Sequence, residues 1–408
     1  MAPSPDRRYA KPRPLMRNGY LVRSNKGVAF LRIIDMFLRL SQPRQGRTIA
    51  PSEPKRILVS NWANLGDVLT SLPTLRALRK NFPGAKIDLV VGRGSRVVVE
   101  GSGLYDRLYT IDHFVLSRTK QSLLDKIRTY LADRKRFVAA ARLEGYDIAI
   151  DLYPYFPPAF PLFQQARIPV RCGFTSGGFG PLLTHPVKWS YRNRPISQHG
   201  RDLIAALWPE RGESIGWLTP YYPGGPRLKL PDHLVPSDPR YVVVHMGAGE
   251  VWKEWPESKW CGLIKMWGSD APLLVFCGIG PREAERARRV AAQSPTGRTL
   301  LFIDQKWEEF VALVAGATLL LCLESSATHV AAAFSVPTVT IYSGTNEHRL
   351  WGPDNPKARI VSAPTGCAPC HRAGCEFMAC IRDVSSEDVL AAVCSAMKMV
   401  SGAEGGGG

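Results

Sequence analysis

Apolar residues along this chain gather in short β-branched runs, separated by segments of helical period, and the alternation occurs twice. In the first half Lys55 to Ser60 (KRILVS) reads as a buried strand and Asn61 to Gly66 as the loop that leaves it. Val68, Leu69, Leu72, Leu75 and Leu78 then recur at helical spacing as far as Phe82. Arg76, Arg79 and Lys80 fall near the end, where the helix dipole favours cations, and Pro83-Gly84 marks the stop. Ile87 to Val91 is the next strand, the Arg- and Lys-rich stretch 115–143 is helical, and Tyr146 to Leu152 is a further strand. The second half opens with the strand Tyr241 to His245, the loop MGAGEVWKEWP and a helix over about 257–267. Strand Leu273 to Cys277, a helix over 282–292, strand Thr299 to Ile303 and helix Glu308 to Ala315 follow. Last come the apolar run Leu319 to Leu323, a polar turn Glu324-Ser325-Ser326, a small-residue helix through His329 to Phe334, and the run Pro337 to Tyr342. This β–α–β alternation predicts an α/β chain whose parallel sheets carry helices on their faces. Ligands of such sheets bind beyond the carboxyl ends of the strands, so a central cleft between the two halves is the expected site.

The remaining segments set the domain limits. Residues 1–18 are rich in Arg, Lys and Pro and are expected to be disordered. Val28, Leu31, Ile34, Phe37 and Leu38 then recur at helical spacing beside Lys26, Arg32 and Arg39. Such a basic amphipathic helix suits either a membrane interface or packing on the protein body. Residues 41–54 read as a linker, 153–187 as an irregular connection rich in Pro, Phe and Gly, and 217–240, with six prolines, as the interdomain linker. The expected plan is therefore a basic extension over 1–54, domains over 55–216 and 241–400 joined by 217–240, and a flexible tail over 401–408.

A length of 408 residues suits two domains of about 150 to 200 residues each. The formal net charge of +18, from 53 Lys and Arg against 35 Asp and Glu, calls for an anionic partner: nucleic acid, an acidic membrane surface or phosphorylated substrates. No RNA- or DNA-binding motif supports the first of these. No apolar run approaches the ~18 to 20 residues of a bilayer span, and the amino terminus lacks an apolar signal core, so a cytoplasmic location is expected. Cys172, Cys261, Cys277, Cys322 and Cys394 are scattered and read as thiols in a reducing compartment. Cys367, Cys370, Cys375 and Cys380 instead form a C-x2-C-x4-C-x4-C cluster with His371 inside it, which fits a structural zinc or iron site better than disulfides.

Asp67 has two readings at the junction of the first loop and helix: a cap for the backbone N–H groups of Leu69 or Thr70, or a general base at the carboxyl end of a strand. Gly247, Ala248 and Gly249 with Lys253 have the chemistry of a phosphate cradle, since small residues let the backbone approach and a lysine supplies charge. Lys253 could equally be a solvated surface lysine. The loop lacks the P-loop's Gly-Lys-Ser/Thr, and the first strand does not end in GxGxxG, which argues against a dinucleotide oxidoreductase. The turn at Ser325 and Ser326 puts a helix amino end where a phosphate could sit. His329, one turn in, is either a structural histidine or a contact to that phosphate.

The ordered set RILVSNWANLGDVLTSLPTLRALRKNFPGAKIDLVV, YDIAIDL, ARIPVRCGF, HMGAGEVWKEWPESKW, ESSATHVAAAFSVPTVTIYSGTN and CAPCHRAGC resembles the ADP-heptose:lipopolysaccharide heptosyltransferases of glycosyltransferase family 9. The resemblance spans about Lys55 to Val400 and is weaker over 110–215. It implies the GT-B fold of two Rossmann-like domains and an inverting, metal-independent transfer of heptose from ADP-heptose to a lipopolysaccharide core or other lipid-linked glycan. It further implies that Asp67 deprotonates the acceptor hydroxyl, that Lys253 and the 247–249 loop face the donor diphosphate, and that Glu283, with Glu285 as the neighbouring carboxylate, holds the donor ribose. Residues 324–329 match the family's Asp-Thr/Ser-Gly-x-x-His segment, so Glu324, Ser325, Ser326, Ala327 and His329 would hold the diphosphate. The basic N-terminal segment would then hold the enzyme on the anionic inner face of the cell membrane, where a lipid-linked acceptor lies, and nucleic acid is not expected as a partner. Glu324 stands where the family has Asp, and Ser326 where it has Gly. These departures keep open another nucleotide sugar, a different acceptor, or a protein that binds without catalysing.

Overall fold

The computed structural model describes residues 15–22, 24–41, 48–223, 230, 232–371, 375 and 377–404. Residues 1–14 of the 1–18 stretch expected to be disordered, and parts of both linkers, of the cysteine loop and of the tail, lie outside them; within the described part, Arg17 forms an antiparallel bridge with Tyr20. Residues 401–404, expected in the flexible tail, fall instead within the last helix. The chain divides into two compact units at 219/220, inside the proline-rich 217–240 stretch.

The first unit contains α1 (Asn25–Ser41), β1 (Arg56–Asn61), α2 (Leu65–Asn81), β2 (Lys86–Val91), α3 (Arg96–Val99), β3 (Arg107–Thr110) and α4 (Leu123–Glu144). It continues with β4 (Ile148–Asp151), α5 (Phe160–Gln165), β5 (Val170–Phe174), β6 (His185–Val187), α6 (Gly200–Leu207) and α7 (Pro209–Ser214). Its sheet is parallel, in the order β3-β2-β1-β4-β5-β6. β1 is buried at five of its six positions, as a central strand covered by helices on both faces must be. Leu58, Val90 and Ala149 pack with Phe137 and Val138 of α4 and Phe160 and Phe163 of α5. Each of the Leu, Val and Phe side chains among them stabilises the fold by roughly 1.5–3 kcal/mol relative to exposure. α4 starts where Ser122 Oγ accepts from the Asp125 N–H at 3.2 Å and stops at Gly145, whose φ of 63° is the left-handed conformation glycine adopts without penalty.

Two expectations change here. The 153–187 stretch supplies α5, β5 and β6 rather than an irregular connection, and Pro186 is tolerated because β6 is an edge strand whose outer side needs no donor. The helix of the basic extension is part of the first unit: Tyr20, Val28 and Leu31 form a buried cluster with Val22, Phe156 and Phe179.

The second unit contains β7 (Tyr241–His245), α8 (Glu257–Lys265), β8 (Leu273–Gly278), α9 (Gly280–Ala291), β9 (Thr299–Ile303), α10 (Trp307–Ala315) and β10 (Leu319–Leu323). α11 (Ser326–Ala333), β11 (Thr338–Ile341), α12 (His348–Trp351), β12 (Ala358–Val361), α13 (Ala379–Arg382) and α14 (Ser386–Glu404) complete it. The sheet order β12-β11-β10-β7-β8-β9 is, read from the other edge, the same sequence of strands as in the first unit. Val242, Val244, Leu319, Leu321 and Val339 form its core with Trp255, Trp260 and Trp267 on one side of the sheet and Val389 and Val393 of α14 beside them.

Candidate functional site

In both sheets the strand order reverses direction between the first and fourth strands, and the crevice beyond the carboxyl ends at such a switch point is where doubly wound folds bind ligands. The residues at these two places are those singled out above. In the second unit β7 ends at His245 and leads into Gly247, Ala248 and Gly249, while the neighbouring β10 ends at Leu323 and leads into Glu324 and Ser325. In the first unit β1 ends at Asn61 and leads into Asp67, beside β4, which ends at Asp151.

Lys253 is not a solvated lysine. Its Nζ lies 2.5 Å from Glu324 Oε1, and the two side chains are only 14% and 8% exposed. Glu324 also accepts from Ser343 Oγ at 2.9 Å and from Asn346 Nδ2, and Ser343 Oγ lies 2.7 Å from Thr345 Oγ1. The extra methylene of glutamate is thus absorbed by a closed polar network that holds the ammonium at the carboxyl end of β10. A charge so far withdrawn from water persists because its partners compensate the lost hydration.

α11 begins at Ser326, with Ser325 at its N-cap position in extended conformation, and Thr328 Oγ1 donates to the Ser325 carbonyl at 2.8 Å. By helix geometry its first-turn N–H groups, from Ser326 and Ala327 on, point out of the amino end, an arrangement that attracts anions. Ser325 Oγ lies 3.4 Å from Nδ1 of His245. Burial holds the His245 imidazole below its ordinary range, with the Glu283 carboxylate opposing the shift. Burial also pushes His329 down to about 4, so near neutral pH both rings are uncharged and can offer hydrogen bonds but no net charge.

Glu283 stands in the first turn of α9, and its Oε2 accepts the Ile279 N–H at 3.1 Å. A Cβ on Gly247 would lie 2.5 Å from Glu283 Oε1, so glycine is what allows this carboxylate and the β7 loop to approach. Glu285 is 68% exposed and lies 3.9 Å from Arg289, so of the two carboxylates Glu283 is the one at the β7 loop. Ala248 is half-buried and Gly249 exposed.

Asp67 is the third residue of α2, half-buried, and its Oδ2 accepts the Asn64 N–H at 3.2 Å. Its carbonyl accepts from Asn61 Nδ2 and from Thr70 Oγ1, each at 2.9 Å. The capping role expected of it is therefore real, although it closes the turn backward onto Asn64 rather than forward onto Leu69 or Thr70.

Around the cysteine loop, Cys370 N–H donates to the Gly344 carbonyl at 2.8 Å, and Cys375 Sγ accepts from the Met378 N–H at 3.1 Å. Burial raises the Cys380 thiol, and the Gly344 backbone opposes this. Among the described residues, however, no group of three or more His, Cys, Asp or Glu is arranged to hold a metal ion.

His245, Ser343 and Asn346 belong to the second unit's site without having been picked out from the sequence. A signal existed for the last two: polar residues directly after an apolar strand run, at the end of a sheet where ligands bind. His245 carried none, since one histidine ending a strand reads as a core residue.

The profile of Glycosyltransferase family 9 (heptosyltransferase) matches residues 134–381. Lipopolysaccharide heptosyltransferase 1 of Pseudomonas aeruginosa is 26% identical over 340 residues, which is 79% of this chain and 88% of that one. Among solved structures, a glycosyl transferase family 9 protein from Veillonella parvula aligns with a TM-score of 0.67 at 18% identity, covering 87% of this chain and 100% of its own. An Escherichia coli heptosyltransferase with ADP-2-deoxy-2-fluoro heptose aligns with a TM-score of 0.64 at 20% identity, covering 83% and 99%. These likenesses show the fold, two Rossmann-like α/β units of the GT-B type.

Proposed function

The chain belongs to glycosyltransferase family 9, and from that premise we propose that it transfers heptose from ADP-heptose to a lipid-linked glycan such as a lipopolysaccharide core, with inversion at the anomeric carbon. The observation that carries this reading is the placement of Lys253, fixed by Glu324, beside the amino end of α11 at the second unit's switch point. A cation and a set of backbone donors at one strand end suit a nucleotide diphosphate as leaving group.

In this mechanism Asp67 accepts the proton of the acceptor hydroxyl as that oxygen forms a bond to the anomeric carbon. The bond from that carbon to the β-phosphate oxygen breaks on the opposite side, and its electron pair leaves with ADP. Lys253 and the N–H groups of Ser326 and Ala327 offset the charge gathering on the diphosphate, so no divalent metal is needed at the reacting centre. Glu283 accepts from the ribose hydroxyls, next to the close backbone of Gly247. Gly249 and Ala248 line the diphosphate, and His329 donates a neutral hydrogen bond to it.

A second reading, another nucleotide sugar on another acceptor, is favoured by one observation: Glu324 and its network with Ser343 and Asn346 occupy the place of the family's shorter Asp. A donor screen separates the two. Purified protein given ADP-heptose and a lipid-acceptor extract is expected to release ADP only when both are present. Acceptor-dependent release from a different nucleotide sugar alone would establish the second reading, and no release from any donor would leave a binding protein.

The acceptor's lipid and the charge of +18 together support an anionic membrane surface on the cytoplasmic side as the place of work. A structural zinc or iron at Cys367, Cys370, Cys375 and Cys380, which the chemistry itself does not use, rests on their C-x2-C-x4-C-x4-C spacing. Elemental analysis is expected to find about one metal per chain in the wild type and a marked loss in Cys370→Ser, in keeping with a four-thiolate site. Equal content in both would remove the site.

A further inference from the structure

α1 has two apolar faces, and only one of them is used. Inward, Val28 and Leu31 are buried, and Asp35, itself 5% exposed, accepts from the Tyr20 hydroxyl at 2.9 Å and from the Phe179 N–H at 2.7 Å. A Cβ on Gly178 would lie 2.7 Å from Leu31, which shows how closely the helix is seated. α1 is therefore a fixed part of the first unit. Outward, Phe30, Ile33, Met36, Phe37 and Leu40 are between 54% and 81% exposed. At ~100° per residue they fall within an arc of about 120°. Five large apolar side chains in one exposed stripe form the kind of patch that soluble surfaces avoid unless something covers it.

We infer that this outward face of α1 lies in the interface of an anionic lipid bilayer, parallel to its plane. Three features select that occupant. Arg32 and Arg39, both exposed, border the stripe, and Lys26 stands at its amino end, the arrangement that binds acidic headgroups while the apolar side chains enter the acyl boundary. α4 covers the same side of the sheet, since Leu38 of α1 packs into the cluster that holds Phe137 and Val138. Its exposed residues Leu124, Arg128, Leu131, Lys135 and Arg142 recur at helical spacing and extend the mixture of apolar and basic groups. The adjoining segments MAPSPDRRYAKPRP and QPRQGR offer positive charge and few apolar residues, so their composition does not complement the stripe. α1 itself has 17 residues, and no helix among the described residues is long and apolar enough to cross a membrane, so the helix lies on the bilayer.

The purpose of this contact rests on the proposed function: the unit that α1 belongs to also carries Asp67, so docking would bring the base to the surface that holds a lipid-linked acceptor. The contact can be tested without it. Full-length protein is sedimented with vesicles of phosphatidylcholine alone or mixed with phosphatidylglycerol, at low and high salt. Wild type is expected to bind the anionic vesicles, and to bind them less at high salt. The triple variant Phe30→Ser/Ile33→Ser/Phe37→Ser is expected to lose at least about tenfold in the bound fraction, and Arg32→Glu/Arg39→Glu to lose the phosphatidylglycerol preference. The control Leu301→Ser, in the second unit, is expected to bind as wild type does. Melting temperature and ADP binding, unchanged in all variants, would show that they fold. Binding of the triple variant equal to wild type, or no binding of wild type to either vesicle, would overturn the inference. So would a wild-type dimer that the triple variant alone dissociates, because a second copy would then be the occupant. If vesicle binding behaves as expected while no donor is turned over, the proposed function fails and the docking surface stands.

Discussion

Asp67→Asn is expected to lower the rate of transfer by about 10²–10⁴-fold, the usual contribution of a positioned general base, while donor binding and melting temperature stay close to wild type. The second half of that expectation comes from the cap. Asp67 Oδ2 accepts the Asn64 N–H, and an asparagine amide oxygen can accept the same bond. Asp67→Ala removes the acceptor as well, so it should lose both activity and about 1 kcal/mol of stability. Comparing the two variants separates a chemical role from a structural one. Transfer retained in Asp67→Asn would eliminate this residue as the base, and a similar loss of stability in both variants would reduce it to a cap.

The pair Lys253–Glu324 carries the other large effect. Lys253→Met should reduce kcat/KM by about 10²–10³-fold, in the range found when one preorganised donor to a developing oxyanion is removed. It also leaves Glu324, 8% exposed, without its cation. An uncompensated buried charge costs roughly 3–5 kcal/mol, and here Ser343 and Asn346 still hold the carboxylate, so the loss should fall toward the lower end. The double variant Lys253→Met/Glu324→Gln neutralises both members. Its melting temperature should recover toward wild type and its activity should not. Calorimetric titration with ADP completes the test: unchanged affinity in both variants would mean that Lys253 does not meet the diphosphate.

The two sites differ in how far they could be read in advance. The turn after Leu323 and the loop after His245 were legible because apolar runs followed by small and polar residues mark strand ends, and strand ends are where such sheets bind ligands. Asp67 was legible in place but ambiguous in role, since a capping carboxylate and a basic one occupy the same position in the chain. The choice between Glu283 and Glu285 was beyond reach of spacing alone. It depends on which side of α9 meets the close-packed Gly247, and only Glu283 does. For Lys253 the residues alone left a phosphate contact and a solvated lysine open, and only the meeting of two segments 71 residues apart reveals the buried ion pair.

The edge strands show a related limit. β5 and β6 lie in a stretch whose prolines and glycines suggest irregular chain, and β6 is admissible because no strand among the described residues pairs with its outer side. α1 was correctly read as amphipathic, yet its period could not tell a helix that packs from one that faces lipid. The structure shows packing on one face and a second apolar face left outward, because Asp35 and Leu31 anchor one side while Phe30, Ile33 and Phe37 turn away.

By itself the sequence determined the α/β alternation, the doubling of the fold, the strand ends that bear chemistry and the family, because each of these is written in local periodicity and in motifs of fixed spacing. Only the tertiary structure decided the partners: Lys253 with Glu324, Glu283 with Gly247, His245 with Ser325, and α1 with the first unit. The physical reason is that burial and ion pairing depend on which distant segments the packed sheets bring together, and no local pattern of residues records that distance.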